Sequence, residues 1–257
     1  MENAAKNPEI TVSHLAIGYG ERVLMEDLNF TVGSGEIFFI MGGSGCGKST
    51  LLKHLIGLYA PMRGDILIRG KSIVNADGET KLEIMRSFGV TYQGGALFGS
   101  LTVAENVAMP LEEYTTLSPK EIAAEVDRKL KLVGLGGYGD LMPGELSGGM
   151  RKRAGLARAL ALDPKLLFFD EPSAGLDPVS SAELDRLILD LRERLGATVV
   201  IISHELDSIF AIADHIVMLD KIRRGIIAEG DPRVLRESSK DPFVRRFLNR
   251  DGMKQQI

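Results

Sequence analysis

One short run of this chain restricts its fold more than any other. Residues 42–49 have the sequence GGSGCGKS, which matches the pattern G-x-x-x-x-G-K-[ST]. The apolar run EIFFIM at 36–41 precedes it and predicts a buried strand, and we expect a helix to begin near Lys48. A glycine-rich loop between a strand and a helix can surround phosphates with its backbone N–H groups. The run therefore predicts a nucleotide-binding domain of the α/β class.

Every residue of this phosphate loop is a candidate for nucleotide binding. Lys48 would neutralise the terminal phosphates, and the Ser49 hydroxyl would bind Mg²⁺. The full set is Gly42, Gly43, Ser44, Gly45, Cys46, Gly47, Lys48, Ser49 and Thr50. Cys46 is the only cysteine, so no intramolecular disulfide can form. Its place at a helix start favours the thiolate and predicts maleimide inhibition that bound nucleotide prevents; the alternative is a small residue that merely fits.

The rest of the chain alternates strand and helix patterns. Four nearly continuous apolar runs predict buried strands of a mostly parallel sheet: 36–41, 165–170, 197–203 and 215–220. One helix places Leu184, Leu187, Ile188, Leu191 and Leu195 on a single stripe and closes at Gly196. The first segments, ITVSHLAI and VLMEDLNFTV, alternate more strongly and predict an antiparallel flap on the edge of that sheet.

The middle of the chain predicts helices only. Ser118 and Glu121 form a capping box with Pro119 between them, and the stripe Ile122, Val126, Leu130 and Val133 ends at Gly134. We therefore predict one domain over 8–235, with a core of 8–93 and 156–235 and an inserted helical subdomain at 94–155. The tail, 236–257, carries an amphipathic stretch around Phe243, Phe247 and Leu248, and is either disordered or docked on a neighbour.

Acidic residues end the second predicted core strand, in LLFFDEP at 166–172. Asp170 would hold Mg²⁺ or its water, and Glu171 would act as general base toward the attacking water. The alternative is a strand that stops at a turn with its acids in solvent. His204 follows another predicted strand and could meet the γ-phosphate, although a lone histidine after a strand is usually a loop residue.

A second glycine-rich loop precedes a helix in ELSGGMRKRAGLARAL at 145–160. Such a helix start is itself an anion site, which leaves the chain with two. The basic residues after the loop suggest a solvated helix face that tolerates a nearby phosphate. The formal net charge of −4 argues against nucleic acid as a partner.

Taken in order, these motifs resemble the ATPase subunits of ABC transporters, from about residue 10 to residue 235. The resemblance includes the phosphate loop, Gln93 in TYQGG, LSGGM at 146–150, LLFFDEP, Asp177 in SAGLD, and His204 in IISHE. It implies a P-loop NTPase of RecA-like fold that hydrolyses ATP with Mg²⁺. It also implies a homodimer with two composite sites. The second loop, through Ser147, Gly148 and Gly149, closes over the γ-phosphate held by the partner's phosphate loop.

The same resemblance implies roles for four further residues. Tyr19 would stack on adenine, with a surface turn residue as the alternative. Gln93 would reach Mg²⁺ and the water, and would link the core to the helical subdomain. Asp177 would couple the two sites across the dimer, and His204 would position the γ-phosphate and the water.

A finer resemblance is to the ATPases of the bacterial lipid transporters associated with MCE proteins, the Mla type. It rests on the stretches 92–111 and 146–178, which include Met150 where many relatives have Gln and the basic run 151–153. DPFVRRFLN at 241–249 is also similar to a C-terminal extension of that group that can clasp the neighbouring subunit. The finer resemblance implies phospholipid transport, an MlaE-like permease, a periplasmic MCE protein and sometimes a small STAS-domain protein. A permease helix is expected near Gln93 to Leu101, where Leu97, Phe98 and Leu101 are either contacts or core.

The sequence also predicts a location and leaves rival functions open. No signal peptide pattern or membrane-length apolar run is present in the sequence, so we expect a protein on the cytoplasmic face of the inner membrane, held there by its permease.

Two rival functions stay open. One rival is the ATPase of a polar-solute transporter. The other is a soluble ABC ATPase acting on ribosomes, DNA or iron–sulfur assembly. A single ATPase domain disfavours the ribosome class, and the lack of heptads disfavours the DNA-repair class. The iron–sulfur class is the hardest to exclude.

Overall fold

The described part of the chain, residues 8–250 of a computed structural model, folds as two units that are not consecutive in sequence. We call residues 8–85 together with 198–250 the terminal unit, and Arg86–Ala197 the inserted unit. The helical subdomain predicted for 94–155 lies wholly within the inserted unit. Within residues 8–250, no helix is both long enough and apolar enough to cross a membrane.

The terminal unit contains two sheets. Its elements are β1 (Pro8–Tyr19), β2 (Arg22–Gly33), β3 (Ile37–Gly42), α1 (Lys48–Leu55), β4 (Arg63–Ile68), β5 (Lys71–Ser72), α2 (Gly78–Arg86), β8 (Thr198–Ile202), α7 (Leu206–Ile212), β9 (His215–Asp220), β10 (Gly225–Gly230), α8 (Pro232–Ser238) and α9 (Pro242–Asn249). One sheet has the order β2-β1-β4-β5, and the strands of the other run β10-β9-β3-β8. Strand β3 pairs in parallel with both β8 and β9, as the apolar runs predicted.

Complete burial explains why these central strands are so uniformly apolar. All six residues of β3 and all five of β8 are buried, because helices or loops cover both faces of a parallel sheet. The predicted bounds differ from the observed ones by one residue at most for β3, β8 and β9, and for the strand Leu166–Asp170 of the inserted unit. Strand β3 ends at Gly42 and therefore delivers the phosphate loop at the carboxyl edge of the sheet.

The antiparallel segments were predicted correctly as strands at the edge of the parallel sheet. They form a four-stranded sheet of their own, and β2 packs against the edge strand β10, where the Glu26 N–H donates to the Arg224 carbonyl oxygen at 2.8 Å. Strand β4 was not predicted; it pairs with the other side of β1, with Ile68 opposite Ile10. The alternating burial of β2 fits a strand with one face on the core and one exposed, whereas the consecutive residues Leu15, Ala16 and Ile17 of β1 are all buried.

The inserted unit combines a parallel strand pair with helices. Its elements are β6 (Phe88–Thr91), α3 (Val103–Tyr114), α4 (Pro119–Leu132), a 3₁₀ turn (Pro143–Glu145), α5 (Gly148–Ala159), β7 (Leu166–Asp170) and α6 (Pro178–Leu195). Strands β6 and β7 pair in parallel, with Phe88 opposite Leu166 and Thr91 opposite Phe169. The prediction that residues 101–161 form helices and no strand is confirmed.

Helix ends in this unit follow the predicted capping chemistry. The Ser118 hydroxyl accepts the Glu121 N–H at 3.4 Å, and the Glu121 carboxylate accepts the Ser118 N–H at 2.7 Å. Val126 and Leu130 of α4 and its C-cap residue Val133 are buried, whereas Ile122 of the predicted stripe is half-buried. Helix α6 ends at Gly196, whose φ of 61° is the left-handed conformation typical of a C-terminal cap. Three residues of the predicted stripe of α6 are buried, namely Leu184, Ile188 and Leu191. The other two, Leu187 and Leu195, are half-buried.

An ion pair between a fully buried lysine and a half-exposed aspartate joins α4 to the turn after α5. The Lys129 side chain has no solvent exposure, and its Nζ lies 2.6 Å from Asp163 Oδ1, while Arg128 Nη2 lies 2.7 Å from Asp163 Oδ2. Burial lowers the pKa of Lys129 even though Asp163 opposes that effect. Burial alone would raise the pKa of Asp163, but Lys129 and Arg128 outweigh it and the pKa is lowered.

The C-terminal tail is helical as far as the structure describes it. Helices α8 and α9 pack together, with Val244 and Leu248 of α9 buried. Of the predicted amphipathic residues, Leu248 is buried, whereas Phe243 is exposed and Phe247 is half-buried. Disorder is therefore wrong for residues 236–250. The remaining tail residues, 251–257, lie outside the described residues.

Candidate nucleotide site

The phosphate loop lies where the sequence placed it, between the end of β3 at Gly42 and the start of α1 at Lys48. Gly42 has a φ of 149°, and a Cβ there would come within 2.5 Å of the Leu219 carbonyl oxygen and 2.8 Å of Cys46 Sγ. A side chain at this position would collide with the backbone of the neighbouring strand β9. Glycine is therefore required for the loop to leave the sheet as it does.

Lys48 contributes a positive charge at the loop itself. Its side chain is buried, and Nζ donates to the carbonyl oxygens of Gly42 at 2.9 Å and Gly43 at 3.3 Å. These contacts hold the ammonium against the loop instead of in solvent. The loop thus combines curled backbone with a fixed cation, which is the arrangement that attracts a phosphate.

The expectation of a reactive thiolate at Cys46 is wrong. The Cys46 side chain is buried inside the loop, and burial raises the pKa of its thiol, although the charge of Lys48 opposes that effect. The cost of placing a thiolate in this dry position exceeds the stabilisation from the nearby cation. The alternative, a small residue chosen for its fit, agrees with the packing of Sγ beneath Gly42.

Tyr19 is hydrogen-bonded to Thr50, the last residue of the predicted phosphate-loop set. It ends β1, its ring is about half exposed, and its hydroxyl lies 2.9 Å from Thr50 Oγ1. The edge of its ring packs against Tyr59 with centroids 6.0 Å apart, and Tyr59 meets His54 in the same manner at 5.8 Å. No sequence pattern indicated Tyr59 or His54, because their ring contacts depend on how α1 and the turn after it pack.

His204 lies in the terminal unit, two residues after β8. Its side chain is 56% exposed, and its Nε2 lies 4.0 Å from Glu205 Oε1. An exposed imidazole at the carboxyl end of a central strand can approach a ligand bound at that edge of the sheet.

The acidic residues lie in the inserted unit at the end of β7. Asp170 is the last residue of the strand, and both Asp170 and Glu171 are half-buried. Glu171 has a φ of 50°, a conformation that is uncommon for residues other than glycine. Seven other non-glycine residues among 8–250 share this left-handed conformation, so it describes the turn, and the role of Glu171 stays a prediction.

Lys152, from the basic run 151–153, contacts this turn. Lys152, on α5, donates from Nζ to the carbonyl oxygens of Pro172 at 2.6 Å, Ala174 at 2.6 Å and Glu171 at 3.4 Å. Burial lowers the pKa of Lys152, and the Glu171 charge opposes that effect. Because Lys152 belongs to a run of basic residues, its pattern alone indicated only a solvated helix face.

The second glycine-rich loop is a capped helix start. Ser147 is the N-cap of α5, and its Oγ accepts the Met150 N–H at 3.2 Å. Gly148 and Gly149 form the first turn, whose amides have no carbonyl partner four residues earlier in the helix. The loop is exposed, so its donors and the positive end of the helix face the surface of the inserted unit.

The segment that follows Gln93 is fixed to helices of its own unit. Gln93 is exposed and lies two residues after β6. Arg158 of α5 donates to the Ala96 carbonyl at 2.8 Å, and a Cβ on Gly155 would come within 2.7 Å of the Gly95 oxygen, so helix and segment are in backbone contact.

The apolar residues of this segment are not simply core. The buried Asn106 side chain accepts the Phe98 N–H at 2.8 Å and donates to the carbonyls of Phe98 and Leu101 at 3.1 and 3.2 Å. Phe98 itself is 52% exposed, whereas Leu97 and Leu101 are half-buried.

Asp177 has a structural contact in the described chain. It is the N-cap of α6 and accepts the N–H groups of Val179 and Ser180, both at 3.0 Å. The hydrogen bond from the Ser180 hydroxyl is the main reason that the pKa of Asp177 is lowered. The predicted site residues are thus divided between units, with Tyr19, the phosphate loop and His204 in the terminal unit and the others in the inserted unit.

The residues predicted to bind Mg²⁺ carry side-chain oxygen atoms, which this ion prefers. Among residues 8–250, no group of three or more His, Cys, Asp or Glu side chains could hold a metal ion. Ser49, Gln93 and Asp170 offer hydroxyl, amide and carboxylate oxygens. Mg²⁺ prefers oxygen, and at nucleotide sites it takes few protein ligands besides phosphate and water.

Comparison with known proteins identifies relatives over most of the chain. Residues 25–174 match the ABC transporter family. The probable ribonucleotide transport ATP-binding protein mkl of Mycobacterium tuberculosis (strain H37Rv) is 45% identical over 240 residues, which are 93% of this chain and 66% of that protein. The intermembrane phospholipid transport system ATP-binding protein MlaF of Escherichia coli (strain K12) is 42% identical over 231 residues, 90% of this chain and 84% of that protein.

A solved structure supports the fold. The dimeric post-hydrolysis state of the ATP-binding cassette MJ0796, bound to ADP and Pi, superposes with a TM-score of 0.78 at 28% identity, covering 86% of this chain and 98% of that one. The predicted α/β fold is confirmed by this neighbour.

Proposed function

Because this chain belongs to the ABC transporter family, as its motifs predicted, we propose that it hydrolyses ATP as the nucleotide-binding subunit of a membrane transporter. It works as a dimer that drives a permease. The observation that carries the proposal is the phosphate loop, with Lys48 fixed against the carbonyls of Gly42 and Gly43 at the end of a central parallel strand. The domain spans 8–235, and the tail, 236–257, contributes to holding the dimer.

Within one chain, the terminal unit binds the nucleotide. Tyr19 stacks on adenine, the amides of 42–50 surround the phosphates, and Lys48 neutralises the terminal ones. Ser49, Gln93 and Asp170 are the oxygen ligands that would hold Mg²⁺, which when bound neutralises phosphate charge. His204 orients the γ-phosphate and the attacking water. Glu171 accepts a proton from that water at its carboxylate as the water attacks.

The second loop completes the site of the partner chain. Ser147, Gly148 and Gly149 present hydroxyl and amide donors at a helix start that favours anions. In a two-fold dimer each chain offers this loop to the nucleotide of the other, so two sites form from two copies of one surface. Asp177, beside the turn that carries Glu171, relates the state of one site to the other. The dimeric MJ0796 cassette with ADP and Pi supports this arrangement.

For the transported molecule, we propose phospholipid moving between bacterial membranes. The likeness to MlaF spans 84% of that protein, whereas the likeness to mkl, a probable ribonucleotide transport protein, spans 66% of it. Met150 and the basic run 151–153 are the motif features that favour the same subgroup. The partners are then an MlaE-like permease, docked near Leu97, Phe98 and Leu101, with a periplasmic MCE protein and a small STAS-domain protein. The chain sits on the cytoplasmic face of the inner membrane.

Affinity purification from detergent-solubilised membranes of the native bacterium tests this function. Mass spectrometry of proteins and lipids should find a multi-span permease, an MCE protein and bound phospholipid in fixed ratio to the tagged chain. Recovery of a permease together with a soluble-solute binding protein would indicate that the transported molecule is a polar solute and not a lipid. Recovery of iron–sulfur assembly proteins and no membrane protein would contradict a transport function.

A further inference from the structure

Lys152 connects two parts of the inserted unit that carry different predicted roles. It lies on α5, whose N-cap is Ser147 of the second loop. Its Nζ reaches the backbone oxygens of Glu171, Pro172 and Ala174, the turn that follows β7. A single side chain therefore ties the helix that begins at the second loop to the backbone that carries the predicted general base.

The chemistry of these contacts suits a rigid link. An ammonium has three N–H donors, and here three carbonyl oxygens of one short turn lie within 3.4 Å of it. The turn is also closed by the Ala174 N–H bonding to the Glu171 oxygen at 3.3 Å. Hydrogen bonds to a charged donor are the stronger kind, so they can hold Glu171 in its strained conformation with a φ of 50°.

Other cations of the same unit make bonds that look similar but reach different places. Lys165 donates to the Leu195 oxygen at 2.7 Å, which is the C-terminal end of α6 and a common cation position. Arg151 donates to the Leu146 oxygen at 2.7 Å, before the second loop. Of these three, only Lys152 contacts the Glu171 turn, and Lys165 therefore serves as a matched control.

We propose that Lys152 is a positioning residue that holds the Glu171 carboxylate in place through the turn behind it, and that it transmits the position of the second loop to that turn. The proposal rests on the proposed function, in which Ser147 contacts the nucleotide of the partner while Glu171 serves the nucleotide of its own chain. Lys152 then links the occupancy of one ATP site to the activity of the other. Coupling between the two sites passes through α5 and not only through residues at the dimer interface.

The test compares ATP turnover of transporter complexes that carry Lys152→Met, Lys152→Arg, Lys165→Met or Glu171→Gln. We expect Lys152→Met to lower kcat about ten- to hundredfold with the KM for ATP within about twofold, because the lost bonds position a catalytic group and bind no nucleotide. The Hill coefficient for ATP should fall toward one. Lys152→Arg should recover part of kcat, and Lys165→Met should match wild type.

Several outcomes would overturn the inference. Lys152→Met with the kcat and Hill coefficient of Lys165→Met would show that the contact is merely structural, as would a raised KM with unchanged kcat. Glu171→Gln with wild-type turnover would instead remove the catalytic assignment beneath the proposal. If Lys152→Met does not fold, as judged by its melting curve, Lys152→Gln replaces it and must show the same split between kcat and KM.

Discussion

At the scale of single residues, hydrogen bonds to backbone carbonyl oxygens fix the ammonium groups of Lys48 and Lys152. Lys48 is held by the oxygens of Gly42 and Gly43, and Lys152 by those of Glu171, Pro172 and Ala174. Both ammonium groups are thereby fixed beside a turn, and each turn carries a predicted site residue. Replacing either lysine with an apolar side chain removes a charge and also leaves carbonyl groups without their donor.

Cys46 yields a prediction about pH at the same scale. Because burial raises the pKa of its thiol, we expect maleimide labelling of the native chain near pH 7 to be far slower than labelling of the unfolded chain. The rate should increase as the pH rises above the usual thiol range. A group whose folded pKa is raised stabilises the fold fully below its unfolded pKa, and this stabilisation is lost as the pH rises through the folded pKa.

Labelling rates followed by mass spectrometry from pH 6 to about pH 10 would check this, with urea-unfolded protein as the reference. Cys46 is the only cysteine, so every adduct on a thiol reports on it. Equal rates for native and unfolded chains at pH 7 would mean that the loop exposes the thiol.

At the scale of elements, what could be predicted from sequence was whatever a local pattern determines. The central strands β3, β8 and β9 were predictable because burial on both faces requires continuous apolar residues. The cap of α4 was predictable because Ser118 and Glu121 are three residues apart. The phosphate loop and the start of α5 were predictable for the same reason.

The remaining features depend on segments that are distant in sequence. No local pattern shows that β4 pairs with β1, that Asn106 fixes the backbone of Phe98 or that Lys152 reaches the Glu171 turn. The pKa of Cys46 was mispredicted because the effect of burial was not visible in the sequence. A helix start lowers the pKa of a thiol only when the stabilisation of the thiolate by nearby charge or water exceeds the cost of burying it. Site roles such as those of Glu171 and Ser147 came from the family resemblance and stay predictions.

The ion pair between α4 and the turn after α5 gives a prediction about stability. Lys129 is fully buried, so Asp163→Asn would leave a buried cation without its counterion. We expect this change to lower the free energy of unfolding by about 2–4 kcal/mol, toward the smaller value because Asp163 is half exposed. Lys129→Met, which removes the buried charge and keeps the packing, should be close to neutral.

Urea denaturation of both single variants and the double variant would measure these differences. The pKa of Asp163 is lowered, so its stabilisation is present above the unfolded pKa of aspartate and is lost as the pH falls through the folded value. The gap between wild type and Asp163→Asn should therefore shrink in acid. Equal losses for Lys129→Met and Asp163→Asn would contradict the expected asymmetry.

At the scale of the whole molecule, the predicted site residues belong to two units of one chain and, in the proposed dimer, to two chains. The phosphate loop lies in the terminal unit, and Ser147 lies in the inserted unit. A chain with a defective second loop should therefore bind ATP normally and fail only as a partner. The same reasoning predicts that two different inactive variants can repair each other.

We expect Ser147→Arg and Glu171→Gln each to abolish turnover in a homodimer. In a mixed dimer, the Ser147→Arg chain keeps its own Glu171 and receives an intact loop from the other chain. Random mixing should therefore restore up to about a quarter of wild-type turnover, since half of the dimers are mixed and each has one intact site. ATP binding to the isolated Ser147→Arg chain serves as the control. No recovery on mixing, or loss of ATP binding by that chain, would indicate a loop that serves its own chain.

The interruption of the terminal unit by the inserted unit has a consequence for biosynthesis. Strand β3 leaves the ribosome before the inserted unit, whereas its neighbours β8 and β9 leave it after that unit. The nascent chain must keep an apolar strand and its phosphate loop unpaired while the whole inserted unit is translated. Long-range parallel pairing of this kind folds slowly and exposes strand edges to aggregation. This order of synthesis predicts that chaperones bind the chain during translation. It also predicts that chains truncated before β8 do not become soluble.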